Sequence, residues 1–395
     1  MLYFDFKGKK ISKLGFGLMR LPLLESGEID RDKTVEMIDE AMNSGINYFD
    51  TAAPYHSGMS EIVAGELLGK YPREKYYLAD KYPGHQVAKT YNPKETFEKQ
   101  LNKCKTDYFD FYLLHNVSEQ SFPVYSNPDY GIVEYFVKQK QEGRIKHLGF
   151  SSHGMLPNLA EALSLFGSEM EFCQIQLNYL DWTQQSAFKK VEMLKAFGIP
   201  VWVMEPLRGG KLANPGENIV SMLKKARPDA SPQEWAFDFL LDTDNVGVIL
   251  SGMSSLEQLK DNIGIFSNYK SFSKENREYL LKTSELLKRG VPCTGCHYCV
   301  EYCPMGLDIP KLLNLYNDAM IQPSVIVDMQ LSAIQEGKKP SDCLKCRSCE
   351  KMCPQGIKIS EALEKFVEII PDIPSWEELC KKRALEEKKF SKKLN

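Results

Sequence analysis

The chain has no apolar run approaching the roughly 18 residues that a membrane-spanning helix needs, and no charge of one sign in excess. With 50 Lys and Arg against 53 Asp and Glu, the formal net charge is −3, so no electrostatic argument favours a nucleic-acid partner. No membrane partner is expected either. The amino terminus from Met1 to Lys10 is charged and lacks the apolar core of a secretory signal. A reducing, cytoplasmic compartment is therefore expected, and disulfides become a poor use for cysteine. Histidine is scarce, with six residues in 395. His56, His85, His147, His153 and His297 show no metal-ligand spacing, and of these only His56, beside Tyr55, reads as a pocket residue. The segment Leu14-Gly15-Phe16-Gly17-Leu18-Met19 lacks the G-x-G-x-x-G spacing by which an open, doubly wound sheet usually announces a dinucleotide site.

What the chain does have is cysteine in a pattern. Eight of the 11 cysteines form two matching runs, Cys293-x2-Cys296-x2-Cys299-x3-Cys303-Pro304 and Cys343-x2-Cys346-x2-Cys349-x3-Cys353-Pro354. A 4Fe–4S cubane needs four thiolates converging on its corners. Two-residue gaps let three of them wrap one cluster in a tight loop, and the fourth arrives from farther away. In two-cluster ferredoxins of the bacterial type, the last cysteine of each run ligates the other cluster. On this chain one cluster would take Cys293, Cys296, Cys299 and Cys353, and the other Cys343, Cys346, Cys349 and Cys303. Zinc is the alternative that paired Cys-x2-Cys elements admit, although a zinc ribbon has no need of the three-plus-one spacing. Cys104, Cys173 and Cys380 read as core or incidental thiols.

At 395 residues, with ordinary hydrophobic and charged content of 43% and 26%, two domains are expected. Before the cysteine runs, short apolar segments alternate with helical stretches. The strand candidates are 14–19, 46–51, 76–81, 109–115, 146–151, 172–177, 200–205 and 246–250. Between them apolar residues recur near a 3.6 period, as in Val35, Ile38, Ala41 and Met42, or Phe188, Val191, Met193, Leu194 and Phe197. Another helix candidate spans 256–266. Eight β–α units whose strands are apolar on both faces imply an α/β fold, a closed (β/α)8 TIM barrel, followed by a small, mainly α-helical ferredoxin-like iron–sulfur domain. Residues 3–11 read as a short hairpin closing the barrel floor. The expected boundaries are a barrel over 1–270, a helical linker over 271–290, the two-cluster domain over 291–370 and a charged tail over 371–395.

In such a barrel the chemistry sits on the carboxyl-terminal rim. Asp50 closes the second strand, Tyr55 follows in its loop, and Lys81 and His115 close the third and fourth. Together these types suit the reduction of a carbonyl, because hydride delivered to carbon must be matched by a proton delivered to oxygen. Tyr55 would be the acid. A cation about 4 Å away at an effective dielectric near 20 contributes roughly 4 kcal/mol toward phenolate, and Lys81 could supply it. Asp50 would hold Lys81 in place, and His115 could donate to the substrate oxygen.

With Gly45-Ile46-Asn47-Tyr48-Phe49-Asp50-Thr51-Ala52-Ala53-Pro54-Tyr55 and Gly58-Met59-Ser60-Glu61, the chain resembles the aldo/keto reductase family over about residues 1–270. The remainder resembles bacterial-type ferredoxin segments, making the whole similar to the iron–sulfur branch of that family. The resemblance implies NADP(H) or NAD(H) lying extended across the barrel mouth. Ser151, Ser152 and Gln174 would hold its carboxamide. The loop Pro206, Leu207, Gly209 and Gly210 would approach the pyrophosphate, and Ser251, Gly252, Met253, Gln258 and Asn262 would surround the adenosine end. Met204 stands where many relatives stack a tyrosine on the nicotinamide, and the cation that commonly grips a 2′-phosphate is absent around Gly252-Met253-Ser254-Ser255. Rim loops 82–91 and 116–129 would set the choice of a small carbonyl or alcohol substrate. A nicotinamide gives up two electrons and each cluster normally accepts one, so a converter such as a flavin, here or on a redox partner protein, is one way to join them; direct single-electron chemistry at the barrel site and a purely structural role for the clusters are the others. The sequence has no convincing flavin motif. The expected function is a nicotinamide-dependent oxidoreductase with a two-cluster relay. The alternative is an iron–sulfur electron carrier or docking subunit whose barrel does not turn over nicotinamide.

Overall fold

The computed structural model describes residues 1–391 apart from Val87, Lys89, Arg289, Thr294, Cys296 and Pro354. The chain divides into two compact units, one comprising Met1–Thr283 with the residues from Arg383 onward, the other Ser284–Lys382.

The first unit opens with an antiparallel hairpin, β1 (Tyr3–Phe6) and β2 (Lys9–Ser12). Eight parallel strands follow: β3 (Leu14–Gly17), β4 (Tyr48–Asp50), β5 (Tyr77–Tyr82), β6 (Phe109–Val117), β7 (Ile145–Ser152), β8 (Cys173–Gln176), β9 (Val201–Met204) and β10 (Val246–Gly252). They close into a barrel in the order β10-β3-β4-β5-β6-β7-β8-β9. The expected eight-stranded barrel is thus present, and every expected strand has its counterpart. Burial explains the continuous apolar runs, since in β3 and β4 every residue is buried from both sides. Where two strands approach closely, a side chain is excluded. A Cβ on Gly149 of β7 would lie 2.5 Å from the Phe172 carbonyl oxygen.

The barrel floor is sealed by aromatic packing. Phe4, Phe6 and Ile11 of the hairpin join Tyr48, Phe111, Phe172 and Trp202 in one cluster. The Phe6 ring centroid lies 5.2 Å from that of Trp202 and 5.8 Å from that of Phe111. Functional groups are thereby confined to the opposite, carboxyl-terminal end. The outer helices are ordinary amphipathic elements. Arg31–Asn43, for example, is capped by Asp30, whose side chain accepts from the Lys33 N–H, and buries Thr34, Met37, Ile38 and Ala41. The stretch expected to be a linker begins with the helix Lys274–Ser284, which packs on the barrel unit. The Arg277 guanidinium stands 4.1 Å from the Phe239 ring centroid, and the Tyr279 hydroxyl donates to the Met222 carbonyl at 2.8 Å. The division between units falls inside that stretch.

The second unit is helical, as expected. Its main helices are Ile309–Ile321, Val325–Ser332 and Ile359–Ile369. The first and third pack together, with the Tyr316 and Phe366 rings 5.9 Å apart. Each of these two begins a few residues after a cysteine run, and the connections repeat: Gly306 and Gly356 both take a left-handed φ, 57° and 62°, before Leu307 and Ile357 turn into the core. The unit is therefore an internal duplication of a cysteine loop followed by a helix.

Candidate functional site

On the rim, Asp50 ends β4 in register with Ala79 of β5, so Lys81, two residues farther along, points into the barrel just above it. Lys81 is fully buried. Its Nζ donates to Asp50 Oδ1 at 2.5 Å and to the Thr51 carbonyl at 2.7 Å, and lies 4.9 Å from the centroid of the Tyr55 ring. Tyr55 reaches this place from a short 3-10 turn, Tyr55–Gly58, whose His56 and Ser57 take left-handed φ values before the helix Met59–Leu68 begins. His115 sits where the register of β6 against β7 slips, between Leu114 and Val117, which turns its ring to meet Tyr55 edge-on at 6.0 Å. All four expected residues converge.

The electrostatics define the protonation states. Burial would lower the Lys81 pKa, but Asp50 and Tyr55 outweigh it and hold the ammonium above its ordinary value. Burial pushes the Asp50 carboxyl up, against the pull of Lys81. Tyr55 is raised by burial, with Lys81 opposing. The expected influence of Lys81 is present, but desolvation exceeds it, so the phenol keeps its proton. That is the form an acid requires. His115 is driven well below the ordinary histidine value by burial and by His85, which leaves a neutral imidazole.

A channel of about 370 Å³ opens over Asp50 and Tyr55, and Lys81 and His115 are not among its lining residues. Asp50, Tyr55, Gln174, Met204, Pro206, Leu207, Gly209, Gly210, Ser251, Gly252, Met253, Gln258 and Asn262 all line it. Ser151 and Ser152 are not among its lining residues; Ser151 Oγ accepts from the Asn116 N–H and Ser152 Oγ from the Gly154 N–H. Two buried oxygens beside the channel, Gln174 Oε1 and Asp50 Oδ2, have no hydrogen-bond partner among the described residues. A buried acceptor without a donor is costly, and the carboxamide of a nicotinamide would supply one, so the residues present fit such a group. His56 instead lines a neighbouring groove of about 700 Å³ and accepts from the Leu21 N–H.

Residues the sequence did not single out also meet here. His85 meets His115 edge-on with ring centroids 4.3 Å apart, and burial pushes it down to about 3. His153 is likewise lowered, to about 4, by burial and then by Lys190. The only signal in the sequence for His85 was its place in the rim loop 82–91, and for His153 its place just after the fifth strand candidate.

In the second unit, Cys303, Cys343, Cys346 and Cys349 line one pocket, and Cys293, Cys299 and Cys353 line another. Cys296, expected with the latter group, lies outside the described residues. Each pocket therefore draws one cysteine from the opposite run. Cys349 is raised to about 12, by burial and then by the neighbouring Cys303 thiol. Among the described residues, no three Cys, His, Asp or Glu side chains close on a point that would hold a single metal ion. Backbone donors face the sulfurs, Leu307 N–H to Cys303 Sγ at 3.5 Å and Lys345 N–H to Cys343 Sγ at 3.4 Å.

Comparison with known proteins agrees with both units. A family model described as the aldo/keto reductase family matches residues 13–283, and one described as a 4Fe-4S dicluster domain matches residues 292–359. The NADH-specific methylglyoxal reductase of Escherichia coli is 27% identical over 281 residues, covering 60% of this chain and 84% of its own. An uncharacterized oxidoreductase of Bacillus subtilis is 27% identical over 287 residues, covering 64% and 86%. Among solved structures, the holo form of an aldo-keto reductase from Bacillus halodurans superimposes with a TM-score of 0.60 at 26% identity, covering 71% of this chain and 95% of that one.

Proposed function

Because this chain belongs to the aldo/keto reductase family and joins to its barrel a 4Fe-4S dicluster domain, we propose that it is a nicotinamide-dependent oxidoreductase. It reduces a small carbonyl compound, or oxidises the corresponding alcohol, and its two clusters serve as an electron relay. The observation that supports this most directly is Lys81, a buried ammonium held between Asp50 and the Tyr55 ring at the head of a channel with unsatisfied acceptors. The name of the Escherichia coli relative, an NADH-specific methylglyoxal reductase, supports the same chemistry.

When bound, a reduced nicotinamide supplies the hydride. The chain's own residues handle the proton. Tyr55 gives its phenolic proton to the carbonyl oxygen, and Lys81 stabilises the phenolate left behind. Asp50 and the Thr51 carbonyl fix the ammonium. His115, kept neutral, donates to the substrate oxygen and orients it. Gln174, with Ser151 and Ser152 behind it, would hold the carboxamide, the loop 206–210 would approach the diphosphate, and Gln258 and Asn262 would stand at the adenosine end. In the second unit Cys293, Cys296, Cys299 and Cys353 would hold one cluster and Cys343, Cys346, Cys349 and Cys303 the other. Each cluster exchanges single electrons when bound.

The test is Tyr55→Phe in anaerobically reconstituted full-length protein. Turnover of reduced nicotinamide with small aldehydes and ketones should fall about 10²- to 10⁴-fold, with cofactor affinity and the cluster absorption unchanged. Undiminished turnover would remove Tyr55 from the mechanism.

A further inference from the structure

Tyr55 lines the cofactor channel, but the groups beyond its ring do not: His115 meets that ring edge-on, and His85 meets His115. A substrate that shares the site with a dinucleotide must therefore reach the phenol from this second side. What stands there comes from far along the chain. The helix Trp376–Ser391 has its residues from Arg383 onward in the barrel unit. Arg383 and Glu386, three apart and so on one face of the helix, are half-buried, whereas Ala384 and Leu385 between them are exposed.

Glu386 fixes that face against the site. Its Oε2 accepts from the hydroxyl of Ser57, which belongs to the same short turn as Tyr55. Ser57 is held in a left-handed backbone conformation, φ 53°, which residues with a side chain rarely adopt, so the turn that aims Tyr55 also aims this hydroxyl. Arg383, one helical turn back, is thereby carried toward the histidines. After burial, its charge is the largest influence lowering His85, and it acts also on His115, behind burial, His85, Lys81 and His153. An anionic group of a substrate would be attracted by Arg383 and repelled by neither neutral imidazole. Lys81, matched by Asp50, adds little net charge.

We infer that Arg383 is the specificity-determining residue of the barrel site: it receives a carboxylate of the substrate, and the preferred substrates are oxo acids. A guanidinium presents paired N–H groups that match the two oxygens of a carboxylate. The inference rests on the reaction proposed above, and the chemistry balances in the same way. The hydride forms the new C–H bond, the carbonyl π pair takes the Tyr55 proton, the reduced nicotinamide is oxidised, and the carboxylate leaves unchanged in a hydroxy acid. Arg383 lies beyond residues 13–283 and 292–359, so neither family resemblance supplies it.

Steady-state reduction by the cluster-loaded full chain tests this on matched pairs, 2-oxobutanoate against 2-butanone and 4-oxobutanoate against butanal. In at least one pair the oxo acid should be preferred about 10- to 100-fold in kcat/KM. Arg383→Gln should bring that ratio close to one, chiefly through KM. Arg383→Lys should keep part of the preference, and Glu386→Ala, which releases the helix from Ser57, should lower it in the same direction. A ratio near one in the unaltered protein, or a ratio that Arg383→Gln leaves within twofold, overturns the assignment while leaving the nicotinamide reading intact. Turnover of none of the four compounds overturns it too, and calorimetry showing that neither NADH nor NADPH binds would take the nicotinamide reading with it.

Discussion

Replacing Lys81 by Met tests the site at its centre. The ammonium is fully buried, 2.5 Å from Asp50 and 4.9 Å from the Tyr55 ring centroid. At that second distance and an effective dielectric near 20, Coulomb's law gives about 3 kcal/mol of stabilisation for a phenolate, about two orders of magnitude in rate. The substitution should therefore lower kcat about 100-fold or more. It should also move the pH dependence. Burial already raises the Tyr55 pKa and Lys81 is the main opposing influence, so without it the phenol rises further. The limb of the alcohol-oxidation profile that requires loss of the phenolic proton should then shift to higher pH. A separate cost falls on stability, since an unpaired buried Asp50 should destabilise the barrel by about 3–5 kcal/mol. The double variant Asp50→Asn with Lys81→Met removes both charges and should regain most of that stability, but none of the rate. Steady-state rates against pH in both directions, with urea unfolding of each variant, separate the two effects. A folded Lys81→Met protein with a rate within a few-fold of normal and an unmoved limb would refute the role given to the ammonium.

Two further outcomes follow from the geometry. Burial lowers His85 to about 3 and His153 to about 4, so below the unfolded value near 6.5 the unfolded chain binds the extra protons first. Stability should be lost as pH falls from about 6.5 toward 4, at about 1.4 kcal/mol per pH unit for each histidine; urea unfolding of His85→Gln should give a shallower slope, and equal slopes would contradict it. If the fourth ligands are exchanged between runs, Cys353→Ser with Cys293→Ser damages a single cluster, whereas Cys353→Ser with Cys343→Ser damages both. Iron and acid-labile sulfide content, with electron paramagnetic resonance after reduction, reads the difference, and the reverse pattern would mean that each run serves its own cluster.

The barrel was legible because strands buried on both faces leave unbroken apolar segments, and because parallel topology forces Asp50, Lys81 and His115 to successive strand ends. Boundaries were less so. The first strand candidate runs to Met19, but β3 stops at Gly17 and Leu18–Arg20 form a 3-10 turn, a change made by packing on neighbours rather than by local propensity. The stretch after residue 270 read as a linker because its sequence is polar. Arg277 nonetheless buries its guanidinium against Phe239 and Trp182, a contact with residues dozens of positions away. The same limit hid His85 and His153. Each lies in a loop or at a strand end, and becomes a site residue only through the closure of the barrel. The cysteine runs stood out because ligand spacing is itself local, and among the described residues each pocket gathers cysteines from both runs.

The aromatic stopper under the barrel has a consequence for biosynthesis. Phe4 and Phe6 leave the ribosome well before the wall they seal is complete, because Ile249 pairs with Leu14 roughly 235 residues apart in the chain, with a loop-closure cost that grows with that separation. At about 5–20 residues per second, the nascent chain exposes these rings for roughly 10 to 50 seconds. Over that interval the growing polypeptide displays an apolar ribbon whose partners in the cluster have not all been made.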